Sequence, residues 1–155
     1  MFNNEYEIYQ YLAENIVKAI PAPDWDKAEY IAMSQNFERH LIEYASYFKI
    51  KTNENFDFDL DEGSNIPATG YKISMSLFEL HKKKQEDKPF NKYKFTLNND
   101  GTFDIAFKYD EDFAYMKSLD ADSDEFDDLL ELDVTDQIES WEGLPQDHPR
   151  PWLHQ

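Results

Sequence analysis

The chain has 155 residues and no cysteine, which excludes disulfides, thiolate zinc sites and cysteine nucleophiles. Its length predicts a single domain that buries roughly 70% of its unfolded surface, and twelve phenylalanines, ten tyrosines and three tryptophans are too many for disorder throughout. The formal net charge of -18 is polarised: Phe95 to Gln155 carries seventeen acids against three bases (Lys108, Lys117 and Arg150), leaving only -4 on the first 94 residues. Such a field repels nucleic acid and anionic lipid and attracts basic protein surfaces.

The first element in chain order is a helix. Ile8, Leu12, Ile16 and Ile20 recur at four-residue steps. Glu5 and Glu7 near its start and Lys18 near its end suit the helix dipole, and Pro21 and Pro23 stop it. MFNNEYEIYQ lacks the basic and apolar regions of a signal peptide, and no apolar run approaches a membrane span, so a soluble cytoplasmic protein is expected.

Strands follow. Lys27 to Gln35 alternates loosely, Leu41 to Ile50 is richer in aromatics, and Asn36 to His40 is a candidate hairpin connection. Phe56, Phe58 and Leu60 alternate with Asp57, Asp59 and Asp61, as in a short edge strand whose charges discourage further pairing. Gly63 to Gly70 reads as a loop. Tyr71 to Gln85 reads as a second helix, with Ile73, Leu77 and Leu80 in its stripe and His81 and three lysines at its end.

Lys92 to Tyr109 is the clearest local structure. Tyr93, Phe95 and Leu97 face one way on the first strand, and Phe103, Ile105, Phe107 and Tyr109 share a face of the second. A two-residue Asp100-Gly101 loop would set Leu97 against Asp104, a mismatch. A three-residue loop, Asn99-Asp100-Gly101, pairs Leu97 with Phe103, Phe95 with Ile105 and Tyr93 with Phe107. That predicts a type I turn closed by Gly101 in the left-handed region as a bulge. Phe113 to Ser118 fits a short helix or a loop, a final helix is expected near Thr135 to Glu142, and the tail Gln146 to Gln155 should be extended.

Asp120, Asp122, Asp124, Asp128 and Glu131 stand at positions 1, 3, 5, 9 and 12 of a calcium-loop pattern. Position 6 is Glu125, where that loop needs glycine for its sharp turn, so the segment reads as a solvated acidic loop or a docking surface. The histidines His40, His81, His148 and His154 lack metal-ligand spacing. No nucleophile elbow, phosphate loop or dinucleotide fingerprint occurs, and with 33 acids any carboxylate pair can be coincidental. No catalytic residue, metal or cofactor is assigned. Trp25 and Trp141 border helices and should pack, whereas Trp152, between Pro151 and Leu153, is the better docking anchor.

The stretch IYQYLAENIVKAIPAPDWDKA, Ile8 to Ala28, resembles the opening of the YezG-like family of bacterial immunity proteins. The hairpin NKYKFTLNNDGTFDIAFKYDED, Asn91 to Asp112, resembles that family's second block, and Trp141 to Pro145 its closing block. Together these cover 48 of the 155 residues. The resemblance implies a non-enzymatic protein that binds and neutralises the C-terminal domain of a cognate toxin, often a nuclease; the negative charge and the lack of a long apolar run argue against nucleic acid and membrane as direct partners. The resemblance transfers no binding residues. Charge points independently to a basic partner, because a nuclease must hold phosphates. Asp120, Asp122, Asp124, Glu125, Asp127, Asp128, Glu131 and Trp152 are therefore the candidate toxin-binding residues. The alternative is an acidic adaptor or nucleic-acid mimic that binds another basic protein. The expected fold is α+β: one domain, residues 1–145, with an antiparallel sheet and helices mainly on one face, followed by the extended tail, residues 146–155.

Overall fold

A computed structural model describes residues 3–36, 41–50, 54–60, 69–84 and 90–154. They fall into two compact units, Met1–Lys108 and Tyr109–Gln155. The first contains α1 (Glu5–Ala19), β1 (Lys27–Asn36), β2 (Leu41–Lys49), β3 (Asn55–Asp57), α2 (Thr69–Lys84), β4 (Lys92–Asn98) and β5 (Phe103–Lys108). Among the described residues the strands form one sheet in the order β3-β2-β1-β4-β5, and every pairing is antiparallel. The fold class is the expected α+β.

Local chemistry sets the elements. The Asn4 side chain caps α1 by accepting from the Glu7 N–H at 3.0 Å, and the Glu7 carboxylate accepts from the Asn3 N–H at 2.9 Å. The four-residue steps bury Ile8, Leu12 and Ile16 completely. In α2 the stripe residues Ile73 and Leu77 and the flanking Phe78 are buried, and the side chain of Leu80 lies outside those described. Both stripes join one core with Ala28, Tyr30 and Ala32 of β1 and Tyr93, Phe95 and Leu97 of β4. Both helices therefore cover the same face of the sheet. Tyr9 of α1 lies 6.1 Å from the Phe95 ring and 5.8 Å from the Phe103 ring. In this core the Ser74 hydroxyl links the phenols of Tyr30 and Tyr93, at 2.9 and 3.0 Å.

The hairpin has the register that face-matching demands: Leu97 opposes Phe103, Phe95 opposes Ile105, and Tyr93 opposes Phe107. The Gly101 N–H donates to the Asn98 carbonyl at 3.0 Å, and Gly101 has φ 91. Asn99 ties this turn to the stretch after α1, donating from its side chain to the Trp25 carbonyl and from its backbone to Asp26.

Several expectations shift. The strand anticipated through Leu60 is only Asn55–Asp57; it does lie at the sheet edge, while Phe58 and Leu60 turn into the core. Thr69 and Gly70 belong to α2 rather than to a loop, and the rest of that loop, residues 63–68, lies outside the described residues, as do residues 37–40 of the first connection.

The second unit is helical: α3 (Glu111–Ser118), α4 (Asp124–Glu131), α5 (Thr135–Ile138) and a final 3-10 turn, Pro151–His154. Its buried side chains are Phe113 and Met116 of α3, Leu129 of α4, Ile138 of α5, and Val134 and Leu144 beside them. The last α-helix is shorter than the expected Thr135 to Glu142, since Ser140 donates its hydroxyl to the Gln137 carbonyl and accepts from the Gly143 N–H. The tail is not extended at Pro151–His154, because Arg150 binds the chain back on itself.

Candidate docking site

In the acidic stretch of the second unit Asp124–Glu131 is a helix rather than a loop, and Asp120 and Asp122 stand in the turn before it. Its two leucines stand among five acids, which obscures the apolar period in the sequence, but the start signal is strong. The Ser123 hydroxyl accepts from the Phe126 N–H at 3.2 Å, and Asp124, Glu125 and Asp127 occupy the first turn. The helix stops where Asp133 takes a φ of 58. Helical backbone over Asp124–Glu131 cannot wrap a calcium ion as a loop does, and the Asp120 carboxylate instead accepts from the Asp122 N–H at 3.1 Å. Among the described residues no three His, Asp or Glu side chains are gathered as a metal site.

Glu125, Asp128, Leu129 and Leu132 follow i, i+3, i+4, i+7 spacing and share one side of α4 and its cap. Together with Glu131 they form one wall of a groove of about 390 Å³. Tyr115 of α3 and Trp152 of the 3-10 turn form another wall, with Pro151 beside them. The two rings stack with centroids 5.8 Å apart and an interplanar angle of 8°.

Arg150 positions Trp152. Its Nε and Nη2 meet the two carboxylate oxygens of Asp112, each at 2.9 Å. Its nitrogens also donate to the carbonyls of Pro145, Gln146 and His148. Asp112 raises the guanidinium's proton affinity, chiefly through these hydrogen bonds. At the far end of α3, Lys117 pairs with Glu139 at 2.8 Å. Tyr109 to Gln155 contains fifteen acids and only these two bases. Each base has a carboxylate partner away from the groove.

Of the sequence-selected residues, Glu125, Asp128, Glu131 and Trp152 line the groove. Asp120 and Asp122 lie in the turn before α4, and Asp124 and Asp127 are on α4 outside the groove lining. Sequence reasoning missed Tyr115, Leu129, Leu132 and Pro151: no local pattern connects α3 to the tail, and the selection within α4 rested on charge. Trp25 packs as expected, while Trp141 is only half-buried. In the first unit a more open hollow near Trp25 is lined by Val17, Ile20, Pro21, Pro23 and Asn99, without a charged side chain.

An α+β fold with an acidic, aromatic-walled groove has the features of a binding protein. The chain matches the family described as immunity protein YezG-like over residues 6–131, and it belongs to that family. Membership implies an immunity role, a cognate toxin as partner, and a generally non-catalytic mode of action. The match includes the Ile8 to Ala28 and Asn91 to Asp112 blocks and ends at the last residue of α4, so Trp141 to Pro145 and Trp152 lie beyond it. No curated protein matches the chain. Among the described residues no helix is long and apolar enough to cross a membrane.

Proposed function

We propose that this protein neutralises a basic toxin domain, a nuclease, by laying its acidic surface against the toxin in the cytoplasm of the cell it protects. The supporting observation is the charge of the second unit: fifteen acids, with both of its bases held in ion pairs. Such a surface complements a phosphate-binding cleft and accelerates encounter with it. The protein performs no chemistry in this scheme. Rim carboxylates set the association rate, and a few apolar or aromatic anchors set dissociation.

Co-expression with the product of the adjacent upstream gene tests this reading. Co-purification and rescue from growth arrest are expected; neither occurring would abandon the immunity reading and favour an acidic adaptor for another basic protein. Replacing Asp122, Asp124, Asp127 and Asp128 together by lysine should slow association by about tenfold or more at low salt and flatten its salt dependence. Unchanged kinetics would remove α4 from the interface.

A further inference from the structure

The groove of the second unit has a more particular chemistry than a negative surface. One wall is aromatic, and the stacked Tyr115 and Trp152 rings are both only half-buried. The other carries Glu125, Asp128 and Glu131, all exposed, interleaved with Leu129 and Leu132. Leu129 is buried beneath, while Leu132 is 46% exposed and offers apolar surface at the rim. Lys117 and Arg150 pair with Glu139 and Asp112, so among the described residues no cation from this unit pairs with the groove carboxylates.

We infer that this groove receives an arginine side chain from the partner protein, its guanidinium lying along the Trp152 and Tyr115 wall and forking onto the carboxylates of Glu125, Asp128 and Glu131. Charge complementarity selects a cation, and the aromatic wall selects among cations. A planar, weakly hydrated guanidinium stacks on a ring and donates two parallel hydrogen bonds to a carboxylate. Lysine is a compact, strongly hydrated charge that gains less from both surfaces. Leu132 accommodates the methylene stem or an apolar neighbour, as long cationic side chains lay their stems along apolar surface. The inference specifies what the acidic surface recognises, and to that extent it rests on the proposed toxin-binding role.

A single-cation probe separates groove recognition from diffuse attraction to so acidic a protein. The full chain, labelled with ¹⁵N, is titrated with acetyl-Ala-Arg-Ala-amide and with its lysine counterpart. Saturable shifts confined to the Trp152 indole, Tyr115 and the groove side of α4 are expected, with arginine about fivefold tighter than lysine. Trp152→Ala should weaken the arginine peptide about fivefold, and Glu125→Gln with Asp128→Asn should abolish saturation, while Asp136→Asn leaves it unchanged. Dispersed amide spectra of each variant report that it is folded. Shifts spread evenly over the acidic residues, equal affinity for the two peptides, or indifference to Trp152→Ala would each overturn the inference. In the cognate complex, capture of the upstream gene product unaffected by Trp152→Ala and Glu125→Gln would also overturn it, while leaving the immunity role intact. Failure of the wild-type protein to capture that product sinks the immunity role instead, and the peptide titration still decides the groove.

Discussion

Arg150 and Asp112, 38 residues apart, are joined by two parallel hydrogen bonds of 2.9 Å, and this fork anchors the turn that carries Trp152. The side chains are 17% and 12% exposed, so solvent competes less than at an open surface pair. Arg150→Ala should release Pro151–His154, separate Trp152 from Tyr115 and lower the melting temperature by about 2–4 °C. Arg150→Lys should recover little, because an ammonium cannot make the fork. The Trp152 indole resonance checks this: an unmoved resonance in Arg150→Ala would show that the turn holds without the fork.

Gly101 has φ 91, and a Cβ built on it meets nothing within 4 Å. Any cost of substitution is therefore conformational rather than steric. Gly101→Val should destabilise the protein by about 1–2 kcal/mol, and Gly101→Asn by less, because asparagine tolerates left-handed backbone. Thermal melts of the two variants give the order; a Val variant as stable as the parent would contradict the bulged turn.

Ser74 links the buried hydroxyls of Tyr30 and Tyr93. Ser74→Ala removes the bridge between α2 and the sheet and should cost about 1–3 kcal/mol in urea denaturation. Combining it with Tyr30→Phe and Tyr93→Phe should recover part of the loss, since no buried hydroxyl then lacks its bridging partner. A neutral Ser74→Ala would mean that the direct hydrogen bond between Tyr30 and Tyr93 suffices without the bridge.

Burial raises the Tyr93 phenol well above its ordinary value of 10.0, outweighing the hydrogen bonds from Ser74 and Tyr30 that favour ionisation. Tyr9 is raised as well, by burial first and then by the Glu5 carboxylate. Both are neutral in the folded chain at pH values where the unfolded chain ionises. Their contribution to stability is complete below pH 10.0 and is lost as pH rises past it. Phenolate absorbance during alkaline titration should show a late component coincident with unfolding; Tyr93→Phe and Tyr9→Phe should each reduce it.

Where a short segment determines structure, the sequence was legible. The α1 stripe, its proline stop and the Asn99-Asp100-Gly101 loop each follow from neighbours in sequence, and face-matching at Leu97 and Phe103 decided the register. The α4 helix was harder to see because its acids obscured the apolar period, although Ser123 followed by three acids is a helix start. Glu125, Asp128 and Glu131 entered the candidate site on charge alone. Their placement beside Tyr115 was not legible. The position of Trp152 in that groove depends on Arg150 crossing to Asp112, and neither residue announces that partnership in its own neighbourhood. The calcium-like spacing illustrates the converse: oxygens at suitable intervals mean little once the backbone between them is helical.

Because Trp152 stands within a few residues of Gln155, anything joined after that point begins at the lip of the groove. A purification tag or fluorescent fusion there crowds the aromatic wall, and a basic tag such as oligohistidine at low pH brings its own cations to the carboxylates of α4. Handles for capture and kinetic work are therefore kept off the residues that follow Trp152.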